Sequence, residues 1–81
     1  MMDLKPKLRA FVIDHFLFGE ANGLKDDTLF IETGIIDSTG VMEIVQFLEK
    51  EFAIHVADKE LIPENLNSIN NLSEYLSRKM V

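Results

Sequence analysis

The sequence has no cysteine, which excludes a disulfide framework, a cysteine-based zinc site and a thiol nucleophile. Its two histidines, His15 and His55, fall in different segments with no motif around either, whereas a catalytic site needs several groups that converge. His15 reads as a packed or half-exposed structural residue and His55 as a solvated one. Positive charge is scarce: eight Lys and Arg stand against fourteen Asp and Glu, for a net charge of −6. That balance lacks the basic footprint that nucleic acid requires and does not suit an anionic membrane surface. It suits protein partners that present a basic docking patch. No apolar run approaches the roughly 20 residues of a membrane span, and residues 1–14 are amphipathic rather than a basic flank followed by an apolar block. The expectation is one cytoplasmic, monomeric domain over residues 1–81. The four glycines lack phosphate-loop spacing, and the carboxylates lack the glycine and ligand spacing of a calcium loop. Strand alternation, hairpin turns and internal repeats are missing too.

What is present is helical periodicity. Leu4, Leu8, Phe11, Val12, His15 and Phe16 follow the spacing of one helical face, with Asp3 placed to cap it and Pro6 tolerable in the first turn. Residues 19–34 break the period with Gly19, Asn22, Gly23 and Gly34 and read as a long loop that Leu24, Leu29, Phe30 and Ile31 can pin down. After Asp37 the period returns, with Val41, Ile44, Val45, Leu48 and Phe52 on one stripe and Met42, Glu43, Gln46, Glu49 and Lys50 mostly off it. Residues 57–62 make a turn or two at most, because Pro63 disfavours helical geometry at Ile62. Asn67 or Ser68 can cap a last helix whose Ile69, Leu72, Tyr75 and Leu76 face inward, with Arg78 and Lys79 complementing the dipole of its final turn. The predicted fold is all-α: a small four-helix bundle of three main helices and one short one, with a long first loop.

One segment stands out as a site, Gly34-Ile35-Ile36-Asp37-Ser38-Thr39-Gly40, where a glycine-punctuated loop delivers Asp-Ser to the start of the strongest helix. Unpaired N–H groups and the positive end of the dipole stabilise an anion there, so a phosphate ester on Ser38 Oγ fits the place. On spacing alone, a plain helix N-cap at Asp37 or Ser38 explains the pair better than a modification site does.

The wider run of residues resembles the acyl carrier protein family. The resemblance is carried by Phe30 to Gly34, Ile35-Ile36-Asp37-Ser38, Val41-Met42-Glu43-Ile44-Val45 and Leu48-Glu49-Lys50-Glu51-Phe52. It implies a non-catalytic carrier with a four-helix fold of acyl-carrier type. In such a protein Ser38 is the attachment point of 4′-phosphopantetheine, taken from coenzyme A, and the sulfur that the chain lacks arrives on this cofactor to hold an acyl or aminoacyl group as a thioester. The resemblance further implies that Asp37 orients the loop end and meets the phosphopantetheinyl transferase, and that Thr39, Gly40, Met42, Glu43, Gln46 and Glu49 form the docking face for partners. Those partners are the transferase, an acyl- or aminoacyl-loading ligase or acyltransferase, and a downstream synthase or transferase.

Thr39 stands where that family commonly has an apolar residue, and Gly40 where a side chain is usual, so the helix start is expected to be less apolar and looser. Together with Ile35-Ile36-Asp37-Ser38 and the Pro63 to Ile69 stretch, these departures make the sequence more similar to specialised discrete carriers, and to peptidyl-type or aminoacyl carriers that work with an adenylate-forming ligase, than to the carrier of ordinary fatty acid synthesis, which stays as an alternative. A second alternative, of a different class, is an unmodified helical adaptor in a larger complex; the intact Asp37-Ser38 pair argues against it.

Overall fold

The computed structural model describes residues 3–21 and 23–80, so Asn22, expected as a breaker in the first loop, and the first two methionines of the amphipathic opening lie outside the described residues. The described residues form five α-helices: α1 (Lys5–Phe16), α2 (Phe30–Thr33), α3 (Ser38–Phe52), α4 (Pro63–Leu66) and α5 (Ile69–Lys79), with one 3₁₀ turn at Asp58–Glu60. Three of them are main helices, and the described residues make the small all-helical bundle that the sequence predicts. Among the described residues, no helix is long and apolar enough to cross a membrane.

Each main helix starts where its first-turn N–H groups find acceptors. The Asp3 carboxylate accepts from Lys5 N–H at 3.1 Å, although the capping position itself belongs to Leu4. Asp37 caps α3 and Ser68 caps α5, Ser68 Oγ accepting from Asn71 N–H at 3.0 Å. The core is the inward faces of these helices: Leu8 and Val12 from α1, Ile44, Val45 and Leu48 from α3, and Ile69, Leu72, Tyr75 and Leu76 from α5 are all buried. At a typical 1.5–3 kcal/mol for each fully buried large apolar side chain, this cluster supplies the main driving force of folding. It replaces the staples that a chain of this size otherwise needs.

Helices α1 and α3 run antiparallel. Lys7 Nζ meets Glu51 Oε1 at 2.6 Å, the rings of Phe11 and Phe47 stack with centroids 3.9 Å apart, and His15 Nε2 lies 3.4 Å from Glu43 Oε2. Ascending numbers on one helix thus meet descending numbers on the other, and the end of α1 lies beside the start of α3.

Two parts of the chain depart from the sequence-based expectation. The long first loop contains α2, and Gly34, at φ 78°, closes that helix in the left-handed region that favours glycine. Of its expected pins, Leu24 and Phe30 are buried, while Leu29 and Ile31 are 44% and 45% exposed. The loop is also tied by polar bonds: Arg9 donates to Leu24 O at 2.7 Å and to Asp26 Oδ1 at 2.8 Å, and Asn70 N–H donates to Asp26 O at 2.9 Å. Further on, the minor helix divides into the 3₁₀ turn and α4. Pro63 holds Ile62 in extended geometry, as expected, but it then opens α4, its fixed φ being preorganised for a first helical residue.

The 3₁₀ turn and α5 are joined through Glu60. Its Oε1 accepts from Ala57 N–H at 2.9 Å, Lys79 Nζ at 3.0 Å and Tyr75 Oη at 3.2 Å. The Ala57 N–H, then Lys79, hold the Glu60 carboxyl below its ordinary range. Burial, reinforced by the hydrogen bond to Glu60, pushes the Tyr75 phenol from 10.0 up to about 12. A raised folded value stabilises the fold below the unfolded value, and that stabilisation is lost as pH climbs from 10 to about 12. The lowered Glu60 value acts in the opposite direction, its contribution being present above the ordinary 4.5 and lost on acidification. Urea unfolding should therefore show a loss of stability between pH 10 and about 12 that is smaller in Tyr75→Phe. An equal loss in both proteins would remove Tyr75 as its source.

Candidate functional site

The segment before α3 is built to hold a helix start in place. Ile36 is buried and its N–H donates to Phe30 O at 3.2 Å, which anchors the loop against α2. The next residue, Asp37, is extended, and its Oδ1 accepts from Gly40 N–H at 2.8 Å while its backbone carbonyl accepts from Val41 N–H at 3.0 Å. Asp37 is therefore the N-cap. The cap makes no demand on the Ser38 hydroxyl, and Ser38 stands exposed as the first residue of the helix. Its own N–H and that of Thr39 have no intrahelical acceptor, as at any helix start, and the positive end of the α3 dipole lies there.

Gly40 does not lie on the docking face expected of it. It is buried, and a Cβ built on it would stand 2.6 Å from Ile36 Cγ2 and 2.9 Å from Phe16 Cε1. The glycine allows the first turn of α3 to cross Ile36 and the end of α1 at close range. Gly40 therefore offers no surface for docking, and the helix start is tightly packed rather than loose.

Thr39, Met42, Glu43 and Gln46 are exposed on α3, and their spacing of three and four residues puts them on one side of the helix with Ser38. Met42 has 47% of its surface in water. Glu43 faces His15 across the α1–α3 seam at 3.4 Å. Glu49 is partly committed to holding the fold together, since its Oε2 accepts from Val56 N–H at 2.9 Å and lies 3.4 Å from His55 Nδ1, tying the chain that follows α3 back onto the helix. His15 stacks on the Phe11 ring at 5.1 Å and is half exposed, and His55 is almost wholly solvated. Among the described residues no cluster of His, Asp or Glu is arranged to hold a metal ion.

A groove of about 360 Å³ opens beside Ser38, its walls formed largely by Ile31, Val41, Met42, Leu61, Ile62 and Leu66. Sequence periodicity does not single out this groove, because its walls come from four separate stretches of the chain. The available signal is Ile62, an apolar residue that Pro63 holds extended. Asn67 also lines the groove and braces one wall: its Oδ1 accepts from Ile31 N–H at 3.0 Å, its Nδ2 donates to Glu32 Oε1 at 2.7 Å and its backbone carbonyl accepts from Phe30 N–H at 2.8 Å. An exposed hydroxyl at a helix N-terminus with an apolar groove alongside can hold a phosphate ester at one end and shelter an apolar group at the other.

The family described as phosphopantetheine attachment site matches residues 17–76. The chain is 29% identical over 75 residues to the probable acyl carrier protein PigG of Serratia sp., an alignment covering 93% of this chain and 86% of that protein. It is 32% identical over 75 residues to an acyl carrier protein of Helicobacter hepaticus, covering 93% and 95%. Similarity to a D-alanyl carrier protein of Streptococcus gordonii is 30% over 73 residues, or 90% of each chain.

Proposed function

The chain belongs to the phosphopantetheine attachment family of acyl carrier proteins and is a carrier that works through a covalent 4′-phosphopantetheine arm; we propose that Ser38 is the residue that holds the arm. The observation that carries this reading is the exposed Ser38 hydroxyl at the first position of α3, released from capping by Asp37 and set at the mouth of an apolar groove. When bound, the arm supplies the thiol that a chain without cysteine lacks. The protein's own residues do the rest. Ser38 offers the oxygen for the phosphate ester, the α3 N-terminus stabilises that phosphate, and the groove offers apolar walls to the arm and to the hydrocarbon part of its cargo. Bond making belongs to the enzymes that visit, and the carrier itself is not a catalyst.

Those visitors are a phosphopantetheinyl transferase using coenzyme A, a loading ligase or acyltransferase, and a downstream synthase or transferase. They dock on Asp37, Thr39, Met42, Glu43 and Gln46, with Glu49 at the edge of the face. Acidic groups on such a face steer basic partners into brief, salt-sensitive encounters, which lets a carrier be released quickly. A monomer in the cytoplasm, away from nucleic acid, fits this work.

The pathway is a specialised one. Thr39 is exposed directly beside Ser38 and puts a hydroxyl where a partner of ordinary fatty acid synthesis meets an apolar residue. Relatives named as D-alanyl carrier proteins make an aminoacyl cargo loaded by an adenylate-forming ligase the leading form of this reading. The test loads the phosphopantetheinylated protein in parallel with a fatty-acid-pathway malonyl transferase and with ligases from its own genomic neighbourhood. The expected result is a higher kcat/KM for one of the ligases. Efficient malonyl loading followed by elongation, with no transfer from any ligase, would return the chain to ordinary fatty acid synthesis.

A further inference from the structure

The bundle ends, where α1 stops beside the start of α3, in an exposed aromatic residue that folding does not use. Phe18 has 93% of its surface in water, the highest exposure of any large apolar residue described. Its backbone sits at φ 53°, in the left-handed region, which is strained for a bulky side chain. The surrounding bonds explain the geometry: Leu17 N–H and Gly19 N–H both donate to Ile13 O, at 3.1 and 3.0 Å, and this wrap closes α1 through a left-handed residue at position 18. That is the position at which helices usually place glycine. A glycine at 18 would relieve the strain and remove the exposed ring together, so neither the core nor the turn accounts for phenylalanine.

The location of Phe18 suggests what does. The antiparallel register of α1 and α3 brings Phe16 against Gly40 and His15 against Glu43. Phe18 follows Phe16 by two residues and Ser38 precedes Gly40 by two, and two residues span at most about 7 Å. The ring and the Ser38 hydroxyl therefore fall within the footprint of one ordinary interface, about 800 Å² on each partner. The same end of the molecule is acidic, with Asp14, Glu20, Asp37 and Glu43 all exposed.

We propose that Phe18 is a docking anchor for the phosphopantetheinyl transferase, its ring entering an apolar pocket of that enzyme whose rim is basic. The proposal rests on the reading of Ser38 as the attachment residue. An enzyme that forms a bond to Ser38 Oγ must close over the surface around that oxygen, which includes this corner. Enzymes that act at the far end of a long arm are under no such constraint. A single aromatic ring set among acidic side chains has the make-up of an interface hot spot, a desolvated apolar anchor with polar surroundings.

The experiment measures modification by a broad-specificity phosphopantetheinyl transferase with coenzyme A, followed by intact mass, for the wild type, Phe18→Gly and Phe18→Leu, alongside thermal unfolding of each. Phe18→Gly is expected to lower kcat/KM about tenfold, mainly by raising KM, while melting at or above the wild-type temperature. Phe18→Leu should retain most of the rate. A rate for Phe18→Gly within about twofold of wild type overturns the proposal and leaves the Ser38 reading standing. So does a Phe18→Gly protein that is modified normally but loaded slowly by its ligase, which would assign the ring to a different enzyme. A wild type that gains no mass under conditions that modify a known carrier overturns the Ser38 reading, and this proposal with it.

Discussion

Ser38→Ala will fold like the wild type and gain no mass when incubated with coenzyme A and a phosphopantetheinyl transferase, whereas the wild type will gain one phosphopantetheinyl group. The two halves of this expectation have separate physical grounds. Ser38 is exposed and Asp37 performs the capping, so exchanging the hydroxyl for the methyl of a good helix former should alter stability by no more than about 0.5 kcal/mol. The chemistry is all-or-none because the ester oxygen is the one atom removed. Thr39 carries the next hydroxyl along the helix, but it projects about 100° away around the axis and cannot take the place of Ser38 in an enzyme site shaped for it. Intact mass and thermal unfolding of the two proteins side by side check both halves. A phosphopantetheinyl group persisting on Ser38→Ala would move the attachment site elsewhere, and a large drop in melting temperature would show Ser38 to be structural.

The three main helices were legible in the sequence because each carries several turns of apolar periodicity, and the start of α3 was legible because Asp37 precedes such a stripe directly. Elements that depend on distant partners were not. Helix α2 has four residues, too few for a period to register, and it is held by Asn67 from 36 residues away. Asn67 itself looked like a candidate cap for α5, but Ser68 takes that role and leaves the Asn67 amide free to bridge Ile31 and Glu32. Gly40 misled for a related reason. Glycine early in a helix reads as looseness, and only the convergence of Ile36 and Phe16 on it shows that space is what it provides. Glu49 follows the same logic, since its spacing assigns it to the outer face while Val56, seven residues on, claims its carboxylate. For Asn67, Gly40 and Glu49 the local pattern placed the residue in the right part of the chain and was blind to the contact it makes elsewhere.

The long first loop is part of the folded unit, and Phe30→Ala should show it by destabilising the protein by about 3–5 kcal/mol, the usual cost of removing a buried phenylalanine ring. Phe30 has no exposed surface. Its N–H donates to Asn67 O at 2.8 Å and its carbonyl accepts from Ile36 N–H at 3.2 Å, so the residue fastens the loop to the approach of α5 on one side and to the approach of α3 on the other. Ile36 in turn packs beneath Gly40, and loss of the ring loosens the support of the helix start that bears Ser38. Domains as small as this one bury a modest share of their surface, and a total stability near the low end of about 5–15 kcal/mol is expected. A loss of about 3–5 kcal/mol then leaves a substantial unfolded population. The neighbouring residue provides the control: Leu29 is 44% exposed, and Leu29→Ala should change stability by about 0.5 kcal/mol or less. Urea midpoints of the wild type and the two variants, with the slope checked for two-state behaviour, make the comparison. If Phe30→Ala unfolds at the same midpoint as Leu29→Ala, the loop is an appendage, and the rigidity at Ser38 must come from the Asp37 cap and the packing of Ile36 and Phe16 against Gly40 alone.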